Sequence, residues 1–202
     1  MGKIQFYGAI SLDGYLATTD DRLDWLTGLA GIPVDAGHDV LGKMTTAVMG
    51  RVTYDMIAES ASTLTLNPYN PTMHSYVLTQ RPYQDTATIT FTSEDLLGLA
   101  RRLKQQSGNV WIIGGQAILT PLIADDLIDE LYLQIAPVTL GQGKRLFGDL
   151  NRRHHFHLQS VHPSDHWQNW SMKKREISTR YPVDYGRLGL LSVILKERLL
   201  CG

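Results

Sequence analysis

One cysteine, Cys201, in 202 residues excludes an intramolecular disulfide and suits a reducing compartment. Net charge is also nearly absent. The 19 lysines and arginines face 20 aspartates and glutamates, which gives −1 and no basic surface for nucleic acid. The most apolar run, Leu188 to Leu195, is far shorter than the roughly 20 residues that span a bilayer. The opening Met1-Gly-Lys-Ile-Gln-Phe-Tyr-Gly8 is too polar and strand-like for a signal peptide. No H-x-E with P-C-x-x-C is present, so the zinc deaminase signature is missing. The histidines gathered between 154 and 166 lack metal-ligand spacing. These absences predict a cytoplasmic, water-soluble protein with no nucleic-acid, membrane or metal partner.

What is present is enough apolar residue, 43% of the chain, for one sizeable core. Val110-Trp-Ile-Ile113 is a short strand ended by Gly114-Gly115, after which Ala117, Ile118 and Leu122 resume at helical spacing. Thr46 to Met49 repeats the pattern, running through Gly50 into a helix that starts at Arg51. Each turn lets a ligand approach the backbone and offers it unpaired helix N–H groups. A bare Gly-Gly does the same work in any tight turn, so one copy alone names no ligand.

Around these turns the pattern predicts strands over Ile4–Ile10, Ser75–Leu78, Thr88–Phe91 and Asp129–Ala136. Ser11 to Gly14 is a turn, and Tyr15 to Ala17 a short extended return. A helix is expected after Pro33, with Asp35 as N-cap and Val40, Leu41 and Met44 inside. Another runs from the Thr92-Ser-Glu-Asp95 cap to about Gln106. Pro121 predicts a kink in the helix after Gly115. Residues 140 to 148 form a glycine-punctuated loop. His155–Val161 and Trp167–Lys174 make an antiparallel pair about Pro163-Ser-Asp165. Strands alternating with helices, then a hairpin, give an α/β sheet, mostly parallel with an antiparallel C-terminal edge.

Four stretches in order carry a resemblance: Ile10-Ser-Leu-Asp-Gly-Tyr-Leu-Ala17, Val48-Met-Gly-Arg-Val-Thr-Tyr54, Val110-Trp-Ile-Ile-Gly-Gly115, and Asp129-Glu-Leu-Tyr-Leu133 through Pro137-Val138 to Gly141-Gln-Gly-Lys-Arg-Leu-Phe147. Together they make the chain similar to the dihydrofolate reductase superfamily, in the branch of the C-terminal reductase domain of the bifunctional riboflavin-biosynthesis protein. The resemblance implies a three-layer, dihydrofolate-reductase-like domain over residues 1–176, NADPH as cofactor, and a homodimer. It places Gly50, Arg51, Val52 and Thr53 on a cofactor phosphate, and Thr79, Gln80 and Arg81 on the adenosine 2′-phosphate. It puts Gly114, Gly115, Gln116 and Ala117 on the pyrophosphate, with the Gly-Gly peptide cis. Ala9 and Leu16 would wall the nicotinamide.

On the substrate side the resemblance points to an acid on the helix after the proline turn. Asp35 stands near that place and equally fits a helix N-cap, and Asp39 lies one turn on. The implied activity is reduction of a pyrimidine- or pterin-like heterocycle, with the ribosylaminouracil step of riboflavin synthesis as one candidate. Dihydrofolate reductase-like activity and a non-catalytic nucleotide-binding or dimerising module are the alternatives. Residues 177–202 extend beyond the resemblance. Their leucines are expected to pack on the domain or on a subunit partner.

Overall fold

The computed structural model describes residues 1–29, 37–60, 65–164 and 167–174. The expected helix start at Pro33–Asp35 and the extension 177–202 lie outside them. The chain runs β1 (Lys3–Ser11), β2 (Tyr15–Ala17), α1 (Asp24–Thr27), α2 (His38–Leu41), β3 (Met44–Gly50) and α3 (Arg51–Ser60). It continues with β4 (His74–Leu78), β5 (Ile89–Thr92), α4 (Leu96–Gln105), β6 (Asn109–Ile113), α5 (Gln116–Ala124) and β7 (Glu130–Ala136). Then come β8 (Lys144–Arg145), β9 (Phe156–Ser164) and β10 (Trp167–Lys174).

Among the described residues, eight strands form one sheet in the order β5-β4-β3-β6-β1-β7-β10-β9. The pairs from β5 to β7 are parallel, and β10 joins β7 and β9 antiparallel. The two short strands β2 and β8 pair separately. Alternation along β1 sorts the core into two layers. Ile4, Phe6 and Ile10 face Leu99, Leu103, Leu119 and Leu122 of α4 and α5, while Tyr7 faces a cluster holding Leu41, Met49 and Val77. Helices thus cover both faces, giving three layers.

Two local expectations change. Met44 is buried at the start of β3 rather than inside α2, which is one turn long and enters through Gly37 at φ +86°. Two glycines bracket those four residues, so nothing carries the helix on to Met44. The Gly114–Gly115 peptide is trans, since the described residues contain no cis bond. Gly114 makes the turn at φ +130°, a conformation open to glycine, without a cis link. The helix α5 runs through Pro121 from Gln116 to Ala124.

Candidate active site

Strands β3 and β6 are parallel neighbours, and each leads directly into a helix. The first, α3, contributes Tyr54 to the layer on one face, and α5 packs in the layer on the other. The chain then proceeds outward to β4 from one and across β1 to β7 from the other. Adjacent strands whose connections diverge to opposite faces leave a crevice at their carboxyl ends, the usual ligand position in open α/β sheets.

Both helix N-termini meet in that crevice. A side chain at Gly114 would place its Cβ 3.0 Å from Thr53 Oγ1, and one at Gly50 would lie 3.5 Å from Ile118 Cδ1. A Cβ at Gly115 would lie 3.1 Å from Leu16 Cδ1. No side chain caps α5. Its first internal bonds are those of Ile118 and Leu119 N–H to Gly115 O, which leaves the N–H groups of Gln116 and Ala117 ahead of them. The structure therefore brings together Gly50–Thr53, Gly114–Ala117 and Leu16, separated by up to a hundred residues in sequence. Ala9 is half-buried on β1, near its carboxyl end.

One strand further out lies a cleft of about 490 Å³ lined by Arg51, Val52, Asp55, Leu78, Thr79, Gln80, Arg81, Thr92 and Glu94. All of the expected 79–81 triad is present. Thr79 folds the turn by accepting the Arg81 N–H at 3.1 Å on its hydroxyl. Among the described residues Arg81 makes no ion pair, whereas Glu94 is held by Arg102 at 2.6 Å. Arg51 is fixed on two sides. Its Nε donates to Asp55 Oδ1 at 2.6 Å, and its guanidinium lies 4.1 Å from the Tyr83 ring centroid. Its Nη1 is buried with no hydrogen-bond partner. Asp55 thus supplies the anion that a cation at a helix N-terminus requires. Residue-type reading missed Asp55 and Tyr83, although Arg51 and Asp55 stand at the i,i+4 spacing of a helical ion pair.

The substrate side is less complete. Asp35 lies outside the described residues. Asp39 does not reach the crevice: its side chain is 96% exposed and its recorded contact is with His38 at 3.4 Å. The one-turn α2 turns that carboxylate to solvent. Asp13 ties loops together. Its Oδ1 accepts from Ser11 Oγ (2.6 Å) and Leu140 N–H (3.1 Å), and its Oδ2 from Gly141 N–H (2.7 Å). Those bonds, Ser11's foremost, lower its pKa to about 2, so it is a carboxylate anchor and not an acid catalyst near neutrality. The buried acid Glu130 sits at the opposite, amino-terminal end of the strands. Hydrogen bonds from Lys3, Gln5 and Tyr132 there outweigh the upward push of burial and keep it ionised. No described group of three or more His, Cys, Asp or Glu could hold a metal ion.

A three-layer sheet of this order, with its crevice between β3 and β6, is a dihydrofolate-reductase-like fold. Dihydrofolate reductase from Enterococcus faecalis, solved with NADP(H) and RAB-propyl, superposes with a TM-score of 0.60 over 87% of this chain and 98% of its own. At 18% identity that likeness is one of fold. Within the fold, this chain belongs to the RibD C-terminal domain family, whose model matches residues 3–166. The uncharacterised Bacillus subtilis (strain 168) protein YwjB is 34% identical over 164 residues, covering 79% of this chain and 90% of its own. A protein from Shewanella sp. PV-4 assigned to riboflavin biosynthesis superposes with a TM-score of 0.75 at 27% identity, over 87% of this chain and all of its own. No helix among the described residues is long and apolar enough to cross a membrane.

Proposed function

We propose that this chain is an NADPH-dependent reductase of a pyrimidine- or pterin-like heterocycle. One observation carries the reading: the N-termini of α3 and α5 meet at one crevice, beside a cleft lined by Arg51 and Arg81. Aligned N–H groups, positive helix ends and a guanidinium fit an anion, and a dinucleotide presents several in a row. Glycine at 114 and 115 lets the β6–α5 turn pack closely on Thr53 and Leu16, which a Cβ at either position would crowd.

In this reading the N-termini of α3 and α5 hold the pyrophosphate. Thr79, Gln80, Arg81 and Arg51 receive the adenosine end with its 2′-phosphate. Leu16 and Ala9 wall the nicotinamide. NADPH bound there would supply a hydride, leaving the protein to orient the heterocycle and exclude water. Asp35 is the acid proposed to hold that heterocycle, since Asp39 faces solvent. The RibD C-terminal domain family and the Shewanella protein's assignment to riboflavin biosynthesis support this substrate class.

A panel of pterins and amino-substituted pyrimidines, with NADPH consumption followed at the reduced-nicotinamide absorbance band, tests the reading. Turnover with a ring of this class is expected. NADPH binding without consumption by any member would replace the enzyme with a nucleotide-binding module.

A further inference from the structure

The hairpin of β9 and β10 has two unlike faces. Cross-strand partners lie on the same side of a sheet, so the pairing sorts the side chains directly. On one side Lys173 pairs with Glu130 and His157, Ser171 with Tyr132 and Ser160, and Asn169 with Gln134 and His162. That side is polar throughout. On the other, Met172 pairs with Leu131 and Leu158, and Trp170 with Leu133 and Val161. A register shift between Ser171 and Met172 adds one residue to β9, and this keeps Val161 on the same side as Leu158.

The apolar side continues the layer that α4 and α5 cover. Those helices bury Leu131 to 2% and Leu133 to 5% exposure. One strand further out the cover ends: Trp170 and Val161 are 37% exposed, and Leu158 is 55% exposed. A contiguous apolar strip beside a core, backed by a polar face, calls for a cover.

We propose that this chain's own C-terminal segment, residues 188–200, supplies that cover. Eight of those 13 residues are Leu, Ile or Val. The chain departs from the correct place. Lys174 ends β10 with its N–H on Asp129 O and its Nζ on Asp126 O (both 2.7 Å), beside the end of α5 and the margin of the strip. The 13 intervening residues, 175–187, reach up to about 45 Å when extended. The eight-residue strand they must run along is about 27 Å long. Tethering raises the local concentration of the segment to the order of millimolar, which favours it over a separate molecule.

Cys201 is the only cysteine and directly follows the segment, so a nitroxide attached there reports its position in the full-length protein. The expected result is loss of at least half the methyl signal of Leu158 and Val161 when nitroxide and isotope label are on the same chain. Methyl groups at the far edge, Ile89 and Val77, should be unaffected. Mixing nitroxide-bearing chains with separately isotope-labelled chains should leave every signal intact. Broadening in the mixed sample would assign the strip to a second copy, and no broadening of Leu158 and Val161 in either sample would place the segment elsewhere. Both outcomes overturn the proposal, and neither bears on cofactor binding.

Discussion

Gly114 is the residue on which the crevice turns. Its φ of +130° is costly for any side chain, and a Cβ there would also lie 3.0 Å from Thr53 Oγ1. Gly114→Ala should therefore cost about 1–3 kcal/mol of stability, visible as a lower thermal midpoint. It should also weaken NADPH binding more than it weakens folding. A variant with wild-type stability and affinity would remove the turn from the site. Asp13 tests a different kind of residue. Its carboxyl titrates near pH 2 in the folded protein against about 3.9 unfolded. A depressed pKa contributes stability that is complete above about pH 4 and fades as pH falls toward 2. The thermal midpoint of the wild type should thus fall more steeply between pH 4 and 2 than that of Asp13→Asn. Parallel curves would show that the Ser11, Leu140 and Gly141 bonds do not hold the loop.

Among the elements, those with strong local signals were legible in the sequence. The two strand-glycine-helix units at Gly50 and Gly114, the Asp95 cap of α4, and the terminal hairpin all follow from periodicity and turn chemistry. Asp95 accepts the Gly98 N–H at 2.9 Å, as its place before an apolar helix implies. What local pattern could not show is which units become neighbours. Strand β6 inserts between β3 and β1, and that long-range step sets Thr53 against Gly114. The pairing of β2 with β8, inside the expected glycine-rich loop, is equally non-local. Met44 was misplaced because an apolar residue after a short helix fits both a helix stripe and the start of a buried strand. The Arg51–Tyr83 stack stayed hidden because nothing in the sequence brings a residue of the loop after β4 onto α3. The segment before α2 holds the remaining substrate question. Asp35→Asn, which removes the charge at nearly constant size, should lower turnover while leaving NADPH affinity nearly unchanged. Unchanged turnover would leave the heterocycle to backbone groups.

At the scale of the whole molecule, the sheet order and the diverging helices α3 and α5 place the proposed cofactor crevice next to a cleft lined by Arg51 and Arg81. NADPH differs from NADH by one phosphate on the adenosine ribose, and a site for NADH commonly presents an acid to the free hydroxyl instead. Two acids do line the cleft, but each is committed to an arginine, Asp55 to Arg51 and Glu94 to Arg102. Arg81 has no such partner among the described residues, so its charge is available to the phosphate. A hydrogen bond to a charged group contributes about 1.5–3 kcal/mol, or roughly ten- to a hundredfold in affinity. The decisive measurement is the ratio of NADH to NADPH dissociation constants, read from tryptophan fluorescence, in the wild type and in Arg81→Ala. The wild type should favour NADPH by about tenfold or more, and the variant should lose most of that preference. Equal affinities in the wild type, or a preference untouched by the substitution, would contradict the assignment of this cleft to the 2′-phosphate.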